Sequence, residues 1–153
     1  MSVHAKLAAL VGNWKGTNRL NLSWMPDSIV ESASTANVVT RAGGTCLETA
    51  YTWKSEGKPQ DGFIVISGDP KSNCVHAVWT DSWHSANALM TCEGTVDDNG
   101  RVNLMGHYKV EGHADWGWRS EIVPTAEGFK YLMFNVSPEG VEEWAVETEF
   151  TRA

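Results

Sequence analysis

Apolar and polar residues alternate along most of this chain, and short groups of turn-forming residues interrupt the alternation. A period of two is the pattern of a β-strand that buries one face. The clearest interruption is Asp97-Asp98-Asn99-Gly100, which is typical of a β-hairpin turn. The pattern predicts about ten strands, over residues 14–24, 29–41, 46–54, 62–68, 74–84, 88–96, 101–110, 116–123, 129–136 and 141–152.

The first residues of the chain show a different spacing. Apolar residues between His4 and Val11 recur at helical intervals, and Ser2 is a suitable N-cap. Gly12 is the type of residue that ends a helix. We therefore expect a short helix over residues 2–11, which would cover one end of the β-structure.

Motifs at the two ends of the chain predict how the strands are arranged. Gly12-Asn13-Trp14-Lys15-Gly16 opens the first strand, and Glu149-Phe150-Thr151-Arg152 ends the last one. A closed antiparallel barrel pairs its first and last strands, so Arg152 would stack on the Trp14 indole and seal one end. The predicted fold is all-β: a single antiparallel up-and-down β-barrel of about ten strands with a short N-terminal helix, forming one domain over residues 1–153.

Three motifs, taken in order, resemble a known family. Gly12-Asn13-Trp14-Lys15-Gly16, Val78-Trp79-Thr80-Asp81-Ser82 and Glu147-Thr148-Glu149-Phe150-Thr151-Arg152 are similar to motifs of the bacterial "domain of unknown function 1579" family. The resemblance extends over nearly the whole chain. It implies a calycin-like barrel, similar to lipocalins and fatty-acid-binding proteins. That family has no established general function, so the resemblance implies a fold rather than an activity.

Nitrobindin-type barrels also open with a Gly-x-Trp-x-Gly pattern, which residues 12–16 resemble. Those barrels bind haem through a histidine near the C-terminus. The last histidine of this chain is His113, and residues 129–152 contain none. This departure argues against haem ligation of the nitrobindin kind, and we expect no cofactor.

Tryptophan is unusually frequent, with eight residues in a chain of 153. An indole is bulky and apolar, but its N–H needs a partner when it is buried. Eight indoles in a small barrel indicate either an aromatic-lined cavity or a core that uses tryptophan as bulk filler. Composition alone favours neither.

The net charge limits the classes of partner that we expect, and the cysteines bear on the cellular compartment. A formal net charge of −7 argues against nucleic acid and against anionic membrane surfaces, both of which attract clustered Lys and Arg. The three cysteines have no metal-like spacing. Residues 1–10 lack the apolar core of a signal peptide. We therefore expect a cytoplasmic protein with reduced thiols.

The richest segment for chemistry is residues 74–84. Alternation predicts Trp79, Asp81 and Trp83 on one face and the intervening residues on the other. If the first face points inward, two indoles flank a carboxylate that is a candidate acid or base. The alternative is that Asp81 only hydrogen-bonds its neighbours. A register slip of one residue would exchange Asp81 for Thr80 inside the barrel.

Other candidates for ligand contact lie on several strands. Trp116 and Trp118 share one face of their predicted strand, and Arg119 points to the opposite face. Either the two indoles or the Arg119 guanidinium, which could bind a carboxylate, therefore faces the cavity. His107 and His113 would approach each other if the chain turns at Glu111-Gly112, but their spacing matches no metal motif, and we expect no metal site. The predicted ligand-binding residues are Tyr51, Trp53, Trp79, Trp83, His107, Trp118, Arg119 and Tyr131.

The leading functional hypothesis is a binding protein for a small apolar or aromatic molecule in a Trp-lined barrel cavity. The alternative is a cofactor-free enzyme for proton transfer, cyclisation or hydration, which would use Asp81 in the same cavity. Haem or metal binding ranks last. The sequence leaves open whether the barrel forms a homodimer.

Overall fold

The computed structural model describes residues 4–153, which form a closed antiparallel β-barrel of ten strands with one short α-helix. This confirms the all-β barrel predicted from the sequence. The described part of the chain contains no helix of the length and apolarity needed to cross a bilayer. The elements are α1 (Ala5–Ala8), β1 (Gly12–Asn21), β2 (Ile29–Arg41), a 3₁₀ turn (Ala42–Gly44), β3 (Cys46–Ser55), β4 (Lys58–Gly68), β5 (Cys74–Asp81), β6 (Met90–Val96), β7 (Val102–Tyr108), β8 (Trp116–Pro124), β9 (Gly128–Val136) and β10 (Glu142–Arg152).

Each strand pairs with the strand that follows it in the chain, and β1 pairs with β10 to close the barrel. Short links suit this order because antiparallel neighbours need only a hairpin between them. Between β3 and β4, Glu56 and Gly57 have φ values of 50° and 75°, the backbone of a tight two-residue turn. Strand β4 therefore begins at Lys58 and not at residue 62, where the sequence analysis placed its start.

The N-terminal helix is shorter than expected from the apolar spacing. It covers only Ala5–Ala8, and His4 caps it by accepting a hydrogen bond at Nδ1 from the Lys6 N–H over 3.2 Å. The predicted N-cap, Ser2, lies outside the described residues. The helix ends at Ala8, three residues before its predicted end at Val11, and Gly12 already belongs to β1.

Three strands also end before their predicted limits. Strand β1 stops at Asn21 instead of continuing to Trp24, β5 stops at Asp81 instead of continuing to His84, and β7 stops at Tyr108 instead of continuing to residue 110. After Asp81 the backbone turns into a loop over residues 82–89 that leads to β6. Trp83 continues the spacing of Trp79 beyond Asp81, so the pattern alone gave no sign of the turn.

The pleat of the strands decides which side chains fill the barrel. On β5, Val75, Ala77, Trp79 and Asp81 are buried, whereas the side chains at 74 and 76 are exposed. The inner faces of the ten strands form one hydrophobic core, which also packs against Leu7 and Leu10. The largest fully buried side chains are Trp79, Phe129, Phe150, Leu7, Leu47, Ile64, Ile66, Leu104 and Met133.

Trp14 and Arg152, which the sequence analysis paired, lie against each other at one end of the barrel. The guanidinium carbon of Arg152 is 3.9 Å from the centre of the Trp14 ring. Arg152 also donates hydrogen bonds to the carbonyls of Val11 (2.8 Å) and Ala9 (3.3 Å). The Trp14 Nε1–H donates to the Leu10 carbonyl over 2.8 Å. These contacts tie the segment after α1 to the first and last strands and close this end.

The close approach of Arg152 depends on Gly12. Gly12 has φ of 142°, a backbone conformation that residues with a side chain rarely adopt. A Cβ at this position would also collide with Nη1 of Arg152. The glycine therefore leaves space for the guanidinium that covers Trp14.

We expect Gly12→Ala to lower the free energy of unfolding by about 2 kcal/mol or more, since it adds backbone strain and displaces Arg152. Urea denaturation measures the loss. Gly57→Ala is the matched control, because Gly57 also has a positive φ (75°) but nothing lies within 4 Å of its added Cβ. The control should lose only about 1 kcal/mol. Equal losses would contradict the role given to the contact between Gly12 and Arg152.

Candidate functional site

The end of the barrel opposite Trp14 is open and leads into a cavity of about 670 Å³. This volume falls within the range of roughly 300–1,000 Å³ that is typical of small-molecule sites. Residues near the open ends of the strands supply most of the apolar wall: Leu20, Trp79, Met90, Trp118 and Ala145, with Trp24 from the loop after β1. The site is thus a cup whose walls belong to the rigid barrel.

The loop over residues 82–89 forms one side of the cup. Trp83, His84 and Leu89 all line the cavity. Leu89 is 70% exposed and Trp83 is 39% exposed, so both stand at the mouth. The loop therefore decides how wide the entrance is and which groups a ligand meets first.

An aromatic cluster surrounds the imidazole of His84. It stacks on Trp53 with ring centres 5.5 Å apart and meets Trp83 edge-on at 4.7 Å. On its other sides lie Trp118 at 5.4 Å and Trp79 at 6.4 Å. Trp79 and Trp118 stack on each other with centres 5.4 Å apart. Mutual packing of this kind holds the rings in place before any ligand arrives.

The buried carboxylate of Asp81 holds the base of this loop. Its Oδ1 accepts hydrogen bonds from the backbone N–H groups of Trp83 (2.8 Å) and His84 (3.1 Å). Its Oδ2 accepts from the Tyr51 hydroxyl (2.8 Å) and the Trp53 indole N–H (3.2 Å). Four donors are enough to compensate for the removal of a carboxylate from water. Strand β5 ends at Asp81 because its side chain captures the backbone N–H groups of Trp83 and His84.

Ser85 reinforces the same turn. Its hydroxyl donates to the Asp81 carbonyl (2.7 Å) and accepts from the Asp81 backbone N–H (2.9 Å). It also lies 2.9 Å from the Thr80 hydroxyl. Together with the carboxylate, these bonds fix both the start and the direction of the loop.

The Asp81 network extends into the barrel through Tyr51. The Tyr51 hydroxyl accepts from the Trp79 indole N–H over 2.9 Å while it donates to Asp81. Gly62 makes this arrangement possible, because a Cβ there would collide with the Tyr51 hydroxyl. Two of the cluster's indoles, Trp53 and Trp79, are therefore oriented by one polar network.

Burial sets the ionisation of the groups around the site. Burial raises the pKa of Tyr51 well above its ordinary value, and the neighbouring Tyr131 and Asp81 raise it further, so Tyr51 remains a hydrogen-bond donor. Burial lowers the pKa of His84, while the negative charge of Asp81 partly opposes this. The His84 imidazole is therefore neutral at neutral pH.

Four of the residues predicted to contact a ligand line the cavity. Trp79 and Trp118 form its inner wall, while Trp83 and His107 stand at its mouth. His107 is exposed, and Trp83 lies in the loop rather than on a strand face with Asp81.

Three other predicted ligand-binding residues do not line the cavity. Tyr51 and Trp53 belong to the network of Asp81. Tyr131 is buried deeper in the barrel, with its ring centre 5.7 Å from that of Tyr51. Alternation places Tyr51 and Trp53 on one strand face, but it does not show that both are hydrogen-bonded to Asp81.

The structure corrects the prediction that Arg119 contacts a ligand. Its side chain lies on the outer face of the barrel, where it pairs with Glu121 and donates to Glu142 over 3.0 Å. Its guanidinium also lies 4.2 Å from the centre of the Phe134 ring. Because Trp118 is the inward residue of this pair, strand geometry turns Arg119 outward.

The structure also gives no support to Asp81 as a catalytic base. Asp81 does not line the main cavity, and each of its oxygens already accepts two hydrogen bonds. A general base must reach the proton that it removes. The position of Asp81 instead makes it a positioning residue for Trp53, Trp83 and His84.

His84 is the residue at the site that sequence reasoning did not select. The signal that could have found it is the spacing Asp81-Ser82-Trp83-His84, in which an aspartate caps the turn formed by the residues that follow it. Such a turn ends the alternation and brings His84 back over the barrel.

Metal-ligating residues do not cluster in residues 4–153. No group of three or more His, Cys, Asp or Glu side chains there is arranged to hold a metal ion. His113 and His107, which the sequence brought together as metal candidates, are both exposed.

The comparisons with known proteins concern family and fold. The family described as "Protein of unknown function (DUF1579)" matches residues 1–152, so the chain belongs to this family. Among solved structures, the chain is similar to the crystal structure of Rv2717c from M. tuberculosis. The TM-score is 0.68 at 13% sequence identity, over 99% of each chain. At that identity the likeness concerns the fold. No curated protein matches the chain.

We expect Asp81→Asn to lower the free energy of unfolding by about 2–4 kcal/mol. Both carboxylate oxygens face N–H or O–H donors, so the amide nitrogen of asparagine would oppose a donor in either orientation. Urea denaturation measures the loss. Asp61→Asn, on the exposed side of β4, is the control and should change stability by less than about 0.5 kcal/mol. A similar effect of both variants would contradict the role of the network.

The lowered pKa of His84 predicts a loss of stability in acid. The unfolded chain binds a proton at the ordinary histidine pKa of about 6.5, whereas the folded chain binds it only at lower pH. Stability from the neutral imidazole is therefore complete above that value and decreases as the pH falls below it. When the pH is lowered from about 7.5 to about 5.5, the free energy of unfolding should decrease less for His84→Gln than for the wild type.

The control for this pH effect is His76→Gln, since His76 is exposed on the outer face of β5. It should keep the acid loss of the wild type. If His84→Gln keeps it as well, His84 is not the group responsible.

Proposed function

We propose that this member of the DUF1579 family binds a small apolar or aromatic molecule in the cavity at the open end of its barrel. The observation that carries the proposal is the cavity itself, about 670 Å³ in volume, open at one end and lined by four tryptophans. A pocket with mostly apolar walls and few polar groups is the usual form of a small-molecule site.

Burial of apolar surface would supply the affinity. Each Å² removed from water contributes roughly 25 cal/mol, and aromatic rings gain further from stacked or edge-on contacts. Trp118 is only 5% exposed and Trp79 only 1%, so the inner wall is already ordered. A ligand would therefore lose little affinity to the ordering of side chains.

The enzyme hypothesis has weaker support than the binding hypothesis. It relied on Asp81 as acid or base, and the hydrogen bonds from Tyr51, Trp53 and the loop backbone occupy that carboxylate. We therefore propose binding as the primary function and assign Asp81 to the support of the cavity wall.

A reducing compartment such as the cytoplasm is part of the proposal. Cys46, Cys74 and Cys92 are free thiols, and Cys74 is exposed. An exposed thiol persists best where disulfides do not form. The net charge of −7 supports a small-molecule partner over nucleic acid.

The test uses N-phenyl-1-naphthylamine, an uncharged probe whose fluorescence rises in apolar sites. We expect saturable binding by the wild type. Trp83→Ala should weaken it about tenfold, because an aromatic wall at the mouth is lost. Phe63→Ala is the matched control, since Phe63 is 38% exposed and Trp83 is 39% exposed, but Phe63 does not line the cavity. No saturable binding, or equal effects of the two variants, would contradict the proposal.

A further inference from the structure

The imidazole of His84 is an unpaired polar group among the indoles of the cavity wall. In residues 4–153, neither of its ring nitrogens makes a hydrogen bond; the residue is held through its backbone N–H, which donates to Asp81. The ring is fixed between Trp53 and Trp83 at the edge of the cavity. A neutral imidazole carries one donor and one acceptor, so both remain open to a ligand.

Trp118 beside it supplies a ring face and no hydrogen bond to a ligand. The rings of Trp118 and His84 are 5.4 Å apart, and both residues line the cavity. The indole nitrogen of Trp118 is itself buried, so a ligand atom in the cavity does not reach it. The hydrogen-bonding capacity of this pair therefore lies on His84.

The cavity also carries no net charge. Lys109 and Asp115, both exposed, are the only formally charged residues among those that line it, and their charges are opposite. Burial keeps His84 neutral at neutral pH by lowering its pKa. An anionic or cationic ligand would lose its hydration without meeting an uncompensated opposite charge.

We propose that the cavity selects uncharged aromatic molecules that carry a hydroxyl group, and that His84 recognises this group. This inference rests on the proposed function and names the ligand class for the same site. The hydroxyl group donates its hydrogen bond to the free nitrogen acceptor of His84. The aromatic ring packs against the indoles.

This arrangement discriminates through the groups that a wrong ligand leaves unpaired. An unsubstituted aromatic molecule fills the same space but covers the His84 imidazole without a partner. Sites built to bind a hydroxyl reject analogues that lack it for this reason. A ligand that is more apolar would otherwise be favoured, so a preference for the hydroxylated one is diagnostic.

The test compares three probes of one shape: 2-naphthol, naphthalene and the anion 2-naphthoate, each measured by equilibrium dialysis at neutral pH. We expect the wild type to bind 2-naphthol about fivefold more tightly than naphthalene, the effect of one net hydrogen bond. It should bind 2-naphthoate more weakly than both.

His84→Phe keeps an aromatic ring and removes the nitrogens, so it should abolish the preference for 2-naphthol over naphthalene. His76→Phe is the matched control on the outer face of β5 and should keep it. A second measurement on the wild type needs no variant: 2-methoxynaphthalene keeps the oxygen but has no proton to donate to His84, so it should bind no more tightly than naphthalene.

Equal binding of 2-naphthol and naphthalene by the wild type would overturn the inference and leave the proposed function intact. A preference that survives in His84→Phe, or that 2-methoxynaphthalene shares, would overturn it in the same way. If none of the three probes binds, both the inference and the proposed function fail.

Discussion

The pairing of β1 with β10 is the constraint on which the remaining structure depends. It closes the sheet, so alternate residues of all ten strands must fill one interior. The same pairing sets Arg152 opposite Trp14 and leaves the guanidinium 3.9 Å from the indole centre. One end of the barrel is consequently sealed, and within residues 4–153 the cavity opens at the other end. The asymmetry of the site follows from how the barrel is closed.

At the open end, the buried carboxylate of Asp81 converts a barrel rim into a shaped cavity. It ends β5, turns the chain into the loop and orients indoles from two strands. A side chain that looks catalytic in the sequence thus has a structural task, and the chemically open group is its neighbour His84. The division is physically reasonable, because a carboxylate with four hydrogen bonds is stable when buried, whereas an imidazole without partners is available to a ligand.

Much of the fold could be predicted from the sequence because period-two alternation reports directly on burial. Val75, Ala77, Trp79 and Asp81 all lie on the predicted common face. The pattern could not reveal where a strand stops: Trp83 continues the spacing of Trp79 beyond Asp81, but a hydrogen-bonded turn begins there. Nor could it show that Arg119 points outward, since the inward face of β8 depends on strand register. His84 was missed because its position depends on that turn and not on periodicity.

The most direct test of the central claim is a two-dimensional NMR titration that follows the indole N–H signals of the eight tryptophans with 2-naphthol. The account predicts the largest shifts at Trp79, Trp83 and Trp118, which line the cavity, and no shift at Trp14 in the sealed end. Shifts centred on Trp14, or an unchanged spectrum at saturating ligand, would contradict it.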